Sequence, residues 1–165
     1  MKRILLVLAA LSWLVPAAFA DHPSLTGIGL VATSSWANGG ASGQLGLSLK
    51  LRQTPIFWGL HLSFASTYLG LGVSGDEYVV DRPLVHDKGF DLDWFLGLGG
   101  YAYLEASSIA DFGLGARVPI GLSWHIDKQF ELWLDLAPSL GISLNPLYFP
   151  DWSVPAELGF RAWIK

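Results

Sequence analysis

The sequence predicts an all-β fold: a single eight-stranded antiparallel up-and-down transmembrane β-barrel. Three observations predict it. The first is alternation. From Gln44 to Arg52, Leu45, Leu47, Leu49 and Leu51 share one parity, while Gln44, Gly46, Ser48, Lys50 and Arg52 share the other. Period two is the period of a strand, whose successive side chains point to opposite faces. The second is composition. Hydrophobic residues make up 52% of the chain and charged residues only 15%, with 19 Gly and 8 Trp. An ordinary soluble domain carries roughly 25% charged residues. The third is the lack of a helical span: after Ala20 no run of ~18 apolar residues escapes interruption by Gly, Ser, Pro or charge. A barrel accounts for all three, since strands of ~10 residues cross a membrane with apolar side chains turned to lipid.

The segments follow in order. Met1-Lys2-Arg3 is a short basic start, Ile4 to Val15 is an apolar run broken by Pro16, and Ala18-Phe19-Ala20 fits a small-x-small cleavage rule. This reads as a secretory signal peptide over 1–20, leaving a barrel domain over 21–165. Loss of Lys2 and Arg3 leaves 8 basic and 14 acidic residues, a net charge of −6. Strands are expected near 26–34, 43–52, 55–64, 68–80, 90–104, 111–126, 130–143 and 154–164. Ile56, Trp58, Leu60, Leu62 and Phe64 alternate with Phe57, Gly59, His61 and Ser63. Leu92, Trp94, Leu96 and Leu98 alternate with Asp93, Phe95, Gly97 and Gly99. The longest case runs from Phe112 to Ile126, and the last sets Val154, Ala156, Leu158, Phe160, Ala162 and Ile164 against Glu157, Gly159, Arg161, Trp163 and Lys165. Turn chemistry falls at Asn38-Gly39-Gly40, Gln53-Thr54-Pro55, Asp127-Lys128-Gln129 and from Asn145-Pro146 through Pro150-Asp151. No comparable signal separates Phe64 from Tyr68. An even strand count places both termini on one side, the periplasm for an outer-membrane barrel.

Composition excludes several classes. The chain has no Cys, so neither a disulfide scaffold nor a zinc-thiolate site is available. Its aromatic content of 13% is unlike a disordered chain. A net charge of −4 offers no basic patch for nucleic acid. The length suits one domain.

Parity alone does not say which face is inside; size does. Eight strands leave an interior just wide enough for side chains to fill. Glycines and ion pairs fit there better than a full face of Leu, Trp, Phe and Ile. The apolar face is therefore expected to meet lipid. Trp36, Phe57, Trp58, Tyr68, Phe90, Trp94, Phe112, Trp124, Phe130, Trp152 and Trp163 sit near strand ends, which suits two interfacial girdles.

The inner face is expected to hold Lys50, Arg52, Asp76, Asp93, Arg117, Glu131, Asp135, Glu157 and Arg161. A charge in a narrow interior must be paired or hydrated. An internal salt-bridge network follows, with Arg117 and Arg161 bidentate to two of the carboxylates. Such a network favours a filled lumen over a polar ion path, because little open lumen remains. His61 and Ser63 lie two residues apart on this face. Their spacing resembles the dyad of PagL-type lipid A deacylases, but the flanking Asn residues of that motif are missing, and the pair faces the lumen rather than lipid. His22, His86 and His125 lack metal-ligand spacing, so no metal or cofactor is expected. Gly70-Leu71-Gly72 and Gly97-Leu98-Gly99-Gly100 lie within strands with no following helix, and read as inward glycines rather than phosphate loops. The segment from Asp76 to Asp91, with Asp76, Asp81, Asp87, Asp91 and Glu77, reads as a solvated connection.

Three stretches carry a family resemblance: Asp81-Arg82-Pro83-Leu84-Val85, Leu92-Asp93-Trp94-Phe95-Leu96-Gly97-Leu98-Gly99-Gly100-Tyr101, and Gly115-Ala116-Arg117-Val118-Pro119-Ile120-Gly121-Leu122-Ser123-Trp124. Together they resemble an uncharacterised family of small bacterial outer-membrane barrels grouped with OmpA-like and OmpW-like proteins. The resemblance covers most of the chain after the signal and implies an eight-stranded barrel without established enzymatic activity. Many such barrels end in an aromatic residue read by the barrel-assembly machinery. Here the end is Ala162-Trp163-Ile164-Lys165, so Phe160 or Trp163 would take that part. The expected function is a non-enzymatic outer-membrane protein with a structural or surface-interaction role, in contact with membrane lipid and binding no nucleic acid. The alternatives are a narrow channel for small or apolar solutes, or a lipid-modifying enzyme using His61 and Ser63. Oligomeric state is not readable from lipid-facing leucines.

Overall fold

The computed structural model describes residues 25–37, 40–64, 69–87, 89–106 and 110–164. The expected signal peptide, part of the 38–40 turn, Tyr68 and the 65–68 connection lie outside the described residues. Ten hydrogen-bonded segments follow in chain order: β1 (Thr26–Ala37), β2 (Gly40–Lys50), β3 (Ile56–Phe64), β4 (Leu69–Asp87), β5 (Phe90–Ala106), β6 (Asp111–Arg117), β7 (Ile120–His125), β8 (Phe130–Leu136), β9 (Ser139–Leu144) and β10 (Leu147–Ile164). Each pairs antiparallel with its neighbours, and β1 pairs with β10 from Thr26↔Ile164 to Ala37↔Ser153. That last pairing closes the sheet on itself and removes both free edges. Among the described residues no helix is long and apolar enough to cross a membrane.

The ten segments make eight walls. β6 and β7 both pair with β5, and β8 and β9 both pair with β10. Each of these two walls is interrupted at a proline, Pro119 or Pro138, which has no N–H to give to a ladder. The walls remain joined across the break: Gly97 N donates to Pro119 O (2.7 Å) and Val118 N to Pro138 O (3.0 Å). The fold class read from the alternation is the one observed, and the expected segments 111–126 and 130–143 correspond to these broken walls.

Two expected segment boundaries need correction. The segment from Asp76 to Asp91 is not a solvated connection. β4 runs on to Asp87, turns at Gly89 and returns along β5, so the hairpin extends well past Ile56↔Glu77, where β3 begins. Gly89 sits at φ +94°, a conformation that favours glycine. Register shifts occur at Val79 and Leu84. An extra residue in one strand reverses the parity beyond it, and this turns Asp81 inward, where it is buried. The second correction concerns the last strand, which begins at Leu147 rather than 154. Residues of the expected 145–151 turn pair with β9, at Leu147↔Leu144, Tyr148↔Ser143 and Asp151↔Gly141.

The outer surface is apolar. Leu30 is 65% exposed and Leu71 57%, and exposed Leu, Ile, Phe and Trp recur on every wall. Charges interrupt this face along β4 at Glu77, Arg82 and Asp87, which stand across from Ile56, Trp94 and Phe90. Phe90 and Trp124 pack at 5.6 Å, and Phe130 and Phe160 at 5.5 Å, as outer aromatic pairs. Phe57 and Trp163 do not belong to a girdle: both are buried in the interior. Their parity already placed them opposite the leucines, and parity prevails over proximity to a strand end.

Candidate functional site: the barrel interior

The inner face is built as a stack of layers, the first at the end where β1 begins and β10 ends. The first layer is a wide vestibule of about 1250 Å³, walled in part by the β4–β5 hairpin and the β7–β8 turn. His125 Nδ1 lies 3.3 Å from Asp93 Oδ2, and His86 Nδ1 2.9 Å from Asp91 Oδ1. His86 sits on the exposed hairpin, and its hydrogen bond to Asp91 raises its pKa above the usual histidine value. The β7–β8 turn is held by Asp127, whose Oδ1 accepts hydrogen bonds from Gln129 N (2.6 Å) and Phe130 N (2.9 Å).

Above the vestibule lies Arg161, only 1% exposed. Its Nη1 donates to Glu131 Oε2 at 2.8 Å and its Nη2 to Ser48 Oγ at 2.9 Å. Ser123 Oγ donates to the other oxygen of Glu131, at 2.8 Å. Arg161 and Glu131 are direct cross-strand partners on β10 and β8. The guanidinium also lies over the rings of Trp133 (4.2 Å), Phe57 (4.7 Å) and Trp163 (5.4 Å). Beside it Phe57, Tyr78 and Phe95 form a continuous stack, with both centroid distances 4.2 Å and nearly parallel planes.

These rings fit because glycine faces them. A methyl on Gly159 would collide with the ring of Trp133, its cross-strand partner. One on Gly121 would come within 2.7 Å of Phe95. Inward glycines thus make room for inward aromatics on the neighbouring wall.

The next layer centres on Arg117. Its Nε lies 3.2 Å from Asp76 Oδ1, and an Nη lies 3.0 Å from Glu157 Oε1. Gly99 stands between Arg117 and Asp76 in the ladder, and any side chain there would strike the Asp76 carboxylate. Asp135 is buried directly opposite Glu157 across the strands. Between the Arg161 and Arg117 layers the remaining space is a cavity of about 20 Å³. That is close to what one water needs.

Of the nine expected lumen charges, the structure brings Asp76, Glu157 and Arg117 together, and Glu131 with Arg161. Asp93 pairs with His125 instead, and Asp135 stands in the Arg117 layer. Two require correction. Arg52 is exposed in the turn after β2, because the strand ends at Lys50. Lys50 does point inward, but its Nζ donates to the carbonyls of Leu51 (3.1 Å) and Thr54 (2.5 Å), holding the turn rather than a carboxylate. Neither arginine is bidentate to a single carboxylate; each bridges two different partners.

At the far end the lumen opens into a polar cup of about 200 Å³, with Arg117 and Glu157 among its lining residues. His61 and Ser63 both line it, but His61 Nε2 shares a hydrogen bond with Ser74 Oγ (3.2 Å) on β4 rather than with Ser63. Tyr103 OH donates to Asp151 at 3.1 Å, and Ser143 Oγ to Asp111 at 2.8 Å. Asp111 also accepts from Asn145 N at 3.2 Å, which ties the start of β6 to the β9–β10 turn. Sequence reasoning missed Tyr78, Tyr103, Asp111 and Asp151. Tyr78 lies just beyond the secure part of the alternation, and the others lie beyond or at the edges of the expected strands. Among the described residues no group of three or more His, Asp or Glu is gathered to hold a metal ion.

The fold and interior define a class: a closed eight-walled antiparallel β-barrel with an apolar outer face and a packed, ion-paired core. No protein-family model matches the chain, and no curated protein matches it. Among solved structures it is similar to the crystal structure of neisserial surface protein A, NspA, at 11% identity and a TM-score of 0.45, covering 84% of this chain and 96% of that one. It is also similar to the N-terminal β-barrel domain of Pseudomonas aeruginosa OprF, at 14% identity and a TM-score of 0.48, covering 82% of this chain and 96% of that one.

Proposed function

We propose that this protein is a non-enzymatic barrel of the bacterial outer membrane, acting through its lipid-facing wall and exposed ends rather than by conduction. In this reading the 1–20 signal is removed and both termini face the periplasm. The wall meets lipid, and the last strand is read by the barrel-assembly machinery. The observation that carries the proposal is the inversion of faces. Leucines cover the outside while Arg161, Glu131, Arg117 and Glu157 are buried inside, an order suited to lipid and costly in water. Two stacked layers, Arg161 with the aromatic rings and Arg117 with its carboxylates, support a filled lumen.

The test has two arms. Protein refolded into detergent is expected to migrate differently on a gel before and after boiling, with β-rich circular dichroism that survives SDS until heating. Folding in plain buffer without a mobility shift would overturn the proposal. In planar bilayers the folded protein is expected to be silent, and Arg117→Ala to remain silent because the Arg161 and aromatic layer still fills the lumen. Steady ion conduction that rises on Arg117→Ala would replace this reading with a gated polar path.

A further inference from the structure

The cup at the far end carries a strong charge imbalance. Glu105, Asp151 and Glu157 line it, and the one cationic side chain among its described lining residues is Arg117. Arg117 is already engaged by Asp76 and Glu157. An anion entering the cup would therefore meet uncompensated carboxylates, whereas a cation would meet partners.

A second observation is independent of the carboxylates. Thr33 Oγ1 and His61 Nδ1 both belong to residues lining the cup and have no hydrogen-bond partner, although Thr33 is only 6% exposed and His61 8%. A buried polar atom left unmatched is costly, which points to a partner that arrives from outside. Tyr101 and Tyr103 add two nearly parallel rings, 6.4 Å apart, on the same wall. Such faces suit a cation or the C–H face of a polyol. Inner-sphere metal binding lacks the needed convergence of three ligands among the described residues.

Size sets the upper limit. A cup of about 200 Å³ admits a small molecule but not a macromolecule. From charge, hydroxyl lining and size, we propose that the cup binds a small hydroxylated organic cation, its ammonium toward Glu105 and Asp151 and its hydroxyls toward Thr33 and His61.

The test uses glucosamine, at a pH where its amine is protonated, with glucose as the neutral match. Each is titrated into the full barrel folded in detergent and followed by calorimetry or ligand-observed NMR. Glucosamine is expected to bind, and glucose at least about tenfold more weakly, because it lacks the charge-assisted hydrogen bonds to carboxylate. Combined Glu105→Gln and Asp151→Asn should bring glucosamine down to the level of glucose. Thr33→Val should weaken both ligands. Should the carboxylate variant fail to fold, Ser42→Lys adds a positive charge at the lining without removing a contact, and should abolish the preference for glucosamine. The heat-dependent gel shift reports folding for each variant. Equal binding of the two ligands, no binding of glucosamine to the folded protein, or an unchanged preference in Ser42→Lys would overturn the proposal.

Discussion

At the scale of single residues, the interior depends on matched pairs, and removing one partner should cost more than removing both. Arg161→Met takes the arginine partner away from the buried Glu131 carboxylate, which keeps its hydrogen bond from Ser123. Loss of one side of such a buried pair is expected to cost about 3–5 kcal/mol, read as a lower urea midpoint for the barrel in detergent or lipid. Arg161→Met with Glu131→Leu should recover much of that loss. A double variant no better than the single one would show that Arg161 acts through its contacts with Phe57 and Trp133 instead. Gly159→Ala is expected to destabilise by about 1–3 kcal/mol through overpacking against Trp133. Trp133→Leu in the same chain should relieve the clash, whereas an ordinary glycine-in-strand effect would make Gly159→Ala stabilising.

Single strands and turns show where local signals hold and where they stop. Alternation placed β2, β3 and the two walls built by β6 to β9, and more weakly β1, because every second residue shares a face. The alternation did not carry β4 beyond residue 80, since bulges at Val79 and Leu84 break the parity on which it rests. The β4–β5 hairpin supplies a pH prediction. His86 is exposed and has a raised pKa from its hydrogen bond to Asp91. Its contribution to the hairpin is present below the unfolded-state histidine pKa and is lost as pH rises through the folded value. NMR titration should find His86 titrating above a free histidine, and Asp91→Asn should return it to the ordinary range. A His86 that titrates normally in the folded protein would remove the interaction from solution. Asp127→Ala removes the acceptor of two turn hydrogen bonds and should cost about 1 kcal/mol, without shifting the register of β7 and β8.

For the whole molecule, the decisive property is which face meets the surroundings. Leu134 lies at the outer surface of β8, 54% exposed. In a lipid-facing wall Leu134→Arg is expected to destabilise by about 2–4 kcal/mol at mid-membrane depth. On a water-facing surface the same change would be near neutral, so unfolding measured in lipid vesicles separates the two. Much of the interior was also legible as a set. Arg117, Asp76, Glu157, Glu131 and Arg161 share the parity of the glycines, and a narrow barrel must bury what has that parity. Which of them meet was not legible, because partners such as Ser48 and Arg161 are 113 residues apart and become neighbours only when β1 pairs with β10.

The sequence by itself determined the two-faced strands, their approximate number and the division of residues between wall and interior. These follow from period two, which is a local property of the chain. Tertiary structure alone decided the pairings inside: Arg161 bridging Glu131 and Ser48, Arg117 bridging Asp76 and Glu157, and His61 bonding Ser74 rather than Ser63. It also decided that Lys50 holds a turn and that Asp81 faces inward. The physical reason is that register, bulges and ring closure set the height of each side chain along the barrel, and parity carries no information about height.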